Sequence, residues 1–144
     1  MALMIRSADF SDGEPIPKRF TADGENVTPS LVVEDVPPGT VELALICHDP
    51  DAPDPDGFTH WTVYGLPPST TNIADSEYRE GPNDAGSPGW YGPKPPAGHG
   101  THHYAFTVYA LSKPVDGSPS RDEFLRSNVG VMLGQATLVG TYSR

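Results

Sequence analysis

Proline and glycine interrupt this 144-residue chain so often that we expect its regular elements to be short. The chain holds 17 prolines and 15 glycines, and they alternate with short apolar runs instead of collecting in one segment. Proline removes a backbone donor and stops helices, while glycine supplies the positive φ angles of tight turns. The pattern therefore predicts a mainly β fold, with many short strands joined by shaped loops in a single domain over residues 1–144.

The apolar runs give the positions of the regular elements. The run 41–47 is apolar on both faces, which indicates a central strand that is covered on both sides. Ser120 and Glu123 have the spacing of a capping box, so one short helix is expected there, and a second helical turn can follow at 131–133. Residues 73–96 form a long polar segment and are expected to be a functional loop. The other predicted strands are 3–6, 31–33, 59–66, 103–111 and 137–142.

Composition excludes several classes of function. The net charge is −10, from 19 acidic and 9 basic residues, and no stretch clusters lysine or arginine. Binding to nucleic acid or to an anionic membrane needs a basic surface, so neither partner is predicted. No apolar run is long enough to span a membrane and the N-terminus lacks a signal-peptide pattern, so a cytoplasmic location without membrane insertion is expected.

The single cysteine, Cys47, cannot form an intramolecular disulfide bond. Neighbouring side chains on a strand point to opposite faces, so His48 is not placed to activate the Cys47 thiol. We therefore expect a buried, unreactive thiol in a central strand.

Polar side chains gather at the ends of three predicted strands. Asp49 directly follows a buried strand, and His60 opens the next one. Strand alternation places His102 and Tyr104 on one face and His103 on the other. Imidazole and phenol groups beside a carboxylate can bind a phosphate or carboxylate ligand. The sequence thus predicts a small, rigid polar pocket at these strand ends.

Three motifs resemble one known family. They are DPDAP at 49–53, His-Trp at 60–61 and GPKPPAGHGTHHYAFTVYAL at 92–111, and together they resemble the signature regions of the phosphatidylethanolamine-binding protein family. The closing segment ATLVGTYSR at 136–144 and the chain length resemble its bacterial and archaeal branch. The resemblance implies a two-sheet β fold with one or two short C-terminal helices. It also implies a pocket for phosphate groups or phospholipid head groups, and some members of the family inhibit kinases or proteases.

Matched position by position, the resemblance assigns the anion pocket to seven residues: Asp49, Pro53, His60, Pro95, Pro96, His102 and Tyr104. The family often has arginine where this chain has His103, so the resemblance does not carry that charge over. It further suggests a homodimer and a cis peptide bond at a pocket proline, with Ala52–Pro53 and Pro95–Pro96 as the candidates.

The leading functional hypothesis is a module that binds a phosphate-bearing small molecule or head group, with no cofactor and no covalent chemistry. One alternative is an inhibitor of a protein kinase or protease that uses the loop 73–96, with Trp90 and Tyr91 as anchors. A second alternative is a weak hydrolase in which His60 or His102 acts as general base.

The histidines at 99, 102 and 103, with Asp49 or Asp51, could supply nitrogen and oxygen ligands to a metal, because imidazole and carboxylate groups are common ligands. His102 and His103 are adjacent on a strand and point opposite ways, so no metal is predicted. His99 and His103 are expected to be ordinary surface residues.

Overall fold

The computed structural model describes residues 2–144 and has two antiparallel β-sheets. The smaller sheet pairs β1 with β2, and the larger one has the strand order β5-β4-β3-β6-β7. The mainly β fold with two sheets is confirmed. The strand bounds are β1 Met4–Arg6, β2 Val32–Glu34, β3 Glu42–Asp49, β4 Phe58–Leu66, β5 Arg79–Glu80, β6 His102–Leu111 and β7 Met132–Tyr142.

The large sheet is covered on both faces, as the apolar run in β3 predicted. Leu43, Leu45 and Cys47 point into a core that the small sheet and the N-terminal segment close. Ala44 and Ile46 point to the opposite face, into a second cluster with aromatic side chains and the helix. All five of these residues are at most 2% exposed, so the alternation of β3 fills two cores from one strand.

One α-helix, α1 at Arg121–Asn128, covers the second cluster. The Ser120 hydroxyl oxygen accepts the Glu123 backbone N–H at 3.3 Å and its O–H donates to a Glu123 carboxylate oxygen at 3.2 Å. Ser120 is therefore the N-cap, as predicted. Phe124 is fully buried and its ring lies 5.4 Å from that of Tyr64 and 5.2 Å from that of Tyr109.

The C-terminal third differs from the sequence prediction in two places. The helical turn after α1 spans Val129–Val131 instead of 131–133. The last strand begins at Met132, five residues before the predicted start at 137. The segment 132–136 has glycine and glutamine in place of a β-branched run, and its extended form comes from pairing with the buried strand β6.

The segment 73–96 is more ordered than a predicted loop. It contains a 3-10 turn at Ile73–Asp75 and the short strand β5, which pairs with Val63 and Tyr64 of β4. Trp90 then returns to the core, with its ring stacked on Phe106 at 5.8 Å and edge-on to Trp61 at 5.7 Å.

The predicted cis peptide bonds are wrong. Within residues 2–144 every peptide bond is trans, including Ala52–Pro53 and Pro95–Pro96. The trans form of an X–Pro bond is favoured by about 0.5–1 kcal/mol, and glycines at positive φ reverse these loops without needing a cis bond. In the described part of the chain, no helix has the length and apolar character that crossing a membrane requires.

Candidate functional site

A cavity of about 200 Å³ opens at the end of the large sheet where β3 finishes and β4 and β6 begin. β3 is antiparallel to both neighbours, so its last residue meets their first residues. Asp49 is paired with Phe58 for this reason, and His102 begins the strand on the other side. The seven residues assigned by the sequence all line this one cavity: Asp49, Pro53, His60, Pro95, Pro96, His102 and Tyr104. Five further lining residues were not assigned: Ala52, Asp54, Phe58, Tyr91 and Lys94.

The tight turn between β3 and β4 holds Asp49 in place. Gly57 has a φ of 76°, in the left-handed region that favours glycine. A Cβ atom at this position would lie 2.4 Å from the Asp49 carbonyl oxygen and 2.8 Å from Nε2 of His48. Only glycine lets the returning chain pass this close behind the carboxylate.

Asp49, His102 and His99 form a chain of hydrogen bonds. The Asp49 carboxylate accepts the Asp51 backbone N–H at 2.8 Å and Nδ1–H of His102 at 2.6 Å. The other ring nitrogen of His102, Nε2, lies 2.6 Å from Nδ1 of His99, so one proton lies between the two rings. Asp49 and His102 are each 2% exposed. Every nitrogen and oxygen atom of these two buried side chains is therefore already paired.

The prediction for His99 was wrong in part. Its side chain is exposed, but its ring caps His102 instead of standing free in solvent. Gly98 and Gly100 have φ angles of 77° and 95°, and these two reversals turn the His99 ring back onto the strand entrance. The flanking glycines were the only sequence signal, and they do not specify which side chain the loop returns to.

His60 presents a hydrogen-bond acceptor to the cavity. Its Nδ1–H donates to the Tyr91 backbone carbonyl, because a carbonyl oxygen can only accept. Burial lowers the pKa of His60 to about 4, so the ring is neutral at pH 7 and Nε2 carries no proton. Within residues 2–144, Nε2 of His60 has no hydrogen-bond partner. It is also not fully enclosed by protein, because the one fully enclosed side-chain nitrogen or oxygen atom without a partner in these residues is Nε1 of Trp90. Nε2 is therefore reached from the cavity, where it can accept a hydrogen bond.

Tyr104 presents the complementary group. The residue is 1% exposed, lines the cavity, and its hydroxyl has no hydrogen-bond partner in the described residues. Burial raises the pKa of Tyr104 above its ordinary value, so the phenol stays protonated and can donate. Its ring meets the His60 ring edge-on with the centroids 5.1 Å apart, and both residues line the same cavity.

The walls and the rim of the cavity have different chemistry. Phe58 and Tyr91 flank His60 with ring centroids 4.8 and 5.9 Å away, and the pocket prolines continue this apolar wall. Lys94 and Asp54 are exposed at the rim, and Lys94 is the one lysine or arginine among the lining residues. Nothing in the sequence alone distinguished Lys94 from the other surface lysines.

The remaining polar residues of the two motifs lie outside the cavity. His103 is exposed and donates its backbone N–H and Nδ1–H to the Asp51 carboxylate at 2.8 and 2.7 Å. His48 is bonded through its two ring nitrogens to Thr59 and to the Asp56 carbonyl. Within residues 2–144, no three histidine, cysteine, aspartate or glutamate side chains are grouped so that they could hold a metal ion.

The family model described as phosphatidylethanolamine-binding protein matches residues 6–143. The chain belongs to this family. The bacterial and archaeal branch of the family includes a UPF0098 protein of Aquifex aeolicus, 43% identical over 97% of this chain and 88% of that protein. It also includes a UPF0098 protein of Methanothermobacter thermautotrophicus, 40% identical over 97% of this chain and 98% of that protein. A relative from Mycobacterium tuberculosis, 41% identical over 97% of this chain and 72% of that protein, is named as a lipoprotein, LppC.

Two solved structures show the same fold. A homologue from Chlamydia trachomatis, CT736, superposes with a TM-score of 0.92 at 35% identity, over 99% of this chain and 98% of that one. A carboxypeptidase Y inhibitor solved with its cognate proteinase reaches a TM-score of 0.52 at 18% identity, over 81% of this chain and 70% of that one. At that identity the likeness shows the fold alone.

Proposed function

We propose that the protein binds a phosphate-bearing anion, as a free small molecule or as a head group, in the cavity at the end of the large sheet. The observation that supports this most is that one apolar-walled cavity is lined by the Tyr104 hydroxyl, which can donate, and by His60 Nε2, which can accept, with no protein partner for either in residues 2–144. Lys94 at the rim supplies a cation that the sequence did not reveal. The family, described as phosphatidylethanolamine-binding, supports the same class of ligand.

Binding without covalent chemistry agrees with the state of the candidate nucleophile and bases. Cys47 is fully buried, and burial raises the pKa of its thiol well above the ordinary value. His102 has both ring nitrogens paired, and His60 with a pKa of about 4 is a weak base at neutral pH. The hydrolase alternative therefore has less support than binding.

The two aromatic residues expected to anchor a protein partner are not fully exposed. Trp90 is partly buried against the core and Tyr91 lines the cavity, so neither is a fully exposed contact on the segment 73–96. Inhibition of a kinase or protease, pairing as a homodimer and a cytoplasmic location all stay predictions, and the relative named as a lipoprotein bears on the last of them.

Isothermal titration calorimetry with inorganic phosphate and phosphoethanolamine tests the proposal. We expect binding at millimolar concentration or below, and about tenfold weaker binding for Tyr104→Phe, since the variant loses one hydrogen bond to a charged ligand. Tyr109→Phe is the matched control, because Tyr109 is buried in the same strand with its side chain in the opposite core. Absence of binding to the native protein, or equal weakening by both variants, would contradict the proposal.

A further inference from the structure

The unpaired polar groups in the cavity differ in whether they can donate or accept a hydrogen bond. His102 uses both ring nitrogens within the protein, so it offers a ligand no free donor or acceptor unless His99 is displaced. Each Asp49 carboxylate oxygen already accepts one hydrogen bond and can only accept another, so Asp49 offers no donor. Tyr104 offers an O–H that can donate. His60 offers only a lone pair, because its single ring proton is committed to the Tyr91 carbonyl.

A ligand whose oxygen atoms can only accept hydrogen bonds does not match the donor and acceptor that Tyr104 and His60 offer. A doubly ionised phosphate, or a phosphodiester, would place a charged oxygen against the lone pair of His60 Nε2 and leave that buried acceptor unpaired. A phosphate that keeps one proton has a P–OH group for Nε2 and other oxygens for the Tyr104 hydroxyl and the Lys94 ammonium.

We propose that the cavity selects a phosphomonoester in its singly protonated, monoanionic form, whose P–OH donates to Nε2 of His60 while Tyr104 donates to a second phosphate oxygen. This inference rests on the proposed function and narrows it from any phosphate-bearing anion to a ligand that brings its own proton. Phosphodiesters, which have no such proton, are bound more weakly.

The charge around the site favours the monoanion independently. The carboxylates of Asp49 and Asp54 lie at the cavity, and Lys94 is the one lysine or arginine that lines it. A second negative charge on the ligand would be desolvated without a matching cation. Burial lowers the pKa of His60 to about 4, which favours the neutral ring whose Nε2 accepts a hydrogen bond.

Several titratable groups surround His60, and the test has to separate their protonation from that of the ligand. Those that face or influence the ring are Asp49 and His48 on β3, His102 and Tyr104 on β6, Asp54, Asp84, Tyr91 and Lys94 on loops, with His99 behind His102. A diester that has no titrating proton between pH 5 and 8 reports the combined effect of these protein groups on anion affinity. The ratio of monoester to diester affinity then isolates the proton on the ligand.

The experiment is calorimetry with phenyl phosphate and methyl phenyl phosphate across pH 5 to 8. We expect phenyl phosphate to bind about tenfold to a hundredfold more tightly than the diester at pH 5.5, as for a hydrogen bond to an otherwise unpaired acceptor. Above the second pKa of the monoester, about 6, the ratio of monoester to diester affinity should fall about tenfold per pH unit. Benzylphosphonate has a higher second pKa, so its affinity should begin to fall at a higher pH than that of phenyl phosphate. This comparison involves no diester, so the size of the diester methyl group does not affect it.

Two variants localise the effect. His60→Phe should bring the ratio of monoester to diester affinity at pH 5.5 close to one, because both ligands then carry one negative charge and neither has a partner for its P–OH or ester oxygen at this position. The fall in monoester affinity above its second pKa should become shallower and keep only the part caused by the second charge of the ligand. Tyr104→Phe should weaken both ligands and leave their ratio unchanged, because the phenol donates to an oxygen that both ligands possess. If His60→Phe fails to fold, the ratio of monoester to diester affinity in the native protein at pH 5.5, where both ligands are mainly monoanions, decides the question.

The outcomes separate this inference from the function on which it rests. Equal affinity for monoester and diester, or a pH midpoint that stays fixed when the ligand pKa changes, overturns the inference and leaves phosphate binding intact. Binding of none of the three ligands at any pH overturns both.

Discussion

His102 donates from Nδ1 to the Asp49 carboxylate across 2.6 Å, and these side chains are only 2% and 3% exposed. One residue further along the strand, His103 makes the same contact with Asp51 across 2.7 Å, with 52% and 40% of these side chains exposed. The two pairs share chemistry and length and differ in burial. Comparing the two pairs therefore shows how burial in the cavity changes the strength of the same histidine–aspartate interaction.

Double-mutant cycles should give different coupling energies for the two pairs. For Asp49→Ala with His102→Ala we expect about 1.5–3 kcal/mol, because truncating either partner leaves a buried polar group unpaired. For Asp51→Ala with His103→Ala we expect less than about 1 kcal/mol, because water screens the pair. Urea denaturation at pH 7 measures both cycles, and equal coupling energies would show that burial does not strengthen the cavity pair.

The protonation of His60 should make the protein less stable in acid. In the unfolded chain His60 has its ordinary pKa of 6.5, and in the folded protein burial lowers the pKa to about 4. As the pH falls from about 6.5 to about 4, the unfolded chain binds a proton that the folded protein does not, so the free energy of unfolding falls by about 3 kcal/mol. Above pH 6.5 this contribution to stability is fully present.

Denaturation at pH 7 and pH 4, in native protein and in His60→Phe, measures this contribution. The variant should lose about 3 kcal/mol less than the native protein between the two pH values. Burial also lowers the pKa of His48, which adds a loss of the same sign in both proteins and cancels in the comparison. The same loss in both proteins would mean that His60 is not held neutral by burial.

Gly57 and Gly98 give a matched test of the turn behind Asp49. Their φ angles are 76° and 77°, so alanine meets the same backbone strain, about 1 kcal/mol, at either position. A Cβ at Gly57 would collide with the Asp49 carbonyl, whereas nothing lies within 4 Å of one at Gly98. We therefore expect Gly57→Ala to lower the free energy of unfolding by at least about 2 kcal/mol more than Gly98→Ala. Urea denaturation of both variants measures this difference, and equal costs would contradict the close approach.

Strand alternation made much of the fold and the pocket predictable. Period-two patterning placed His102 and Tyr104 on one face with His103 on the other, and the structure has them so. The apolar run in β3 correctly indicated a strand covered on both sides. Ser120 and Glu123 located the helix because a cap is a local interaction within four residues.

The features that sequence reasoning missed depend on distant partners. The protonated nitrogen of His60 is set by the Tyr91 carbonyl, 31 residues further along the chain, which no local pattern encodes. The first residues of β7 are extended because β6 pairs with them, although their own strand propensity is low. His99 reaches His102 through two glycine reversals whose direction is a property of the folded loop.

A crystal structure grown at pH 5.5 with saturating phosphate would show directly whether the cavity holds the anion. We expect a phosphate in the cavity, with one oxygen about 2.7 Å from the Tyr104 hydroxyl and another at hydrogen-bonding distance from Nε2 of His60. A cavity that holds only water under these conditions, or phosphate found only elsewhere on the surface, would contradict this expectation.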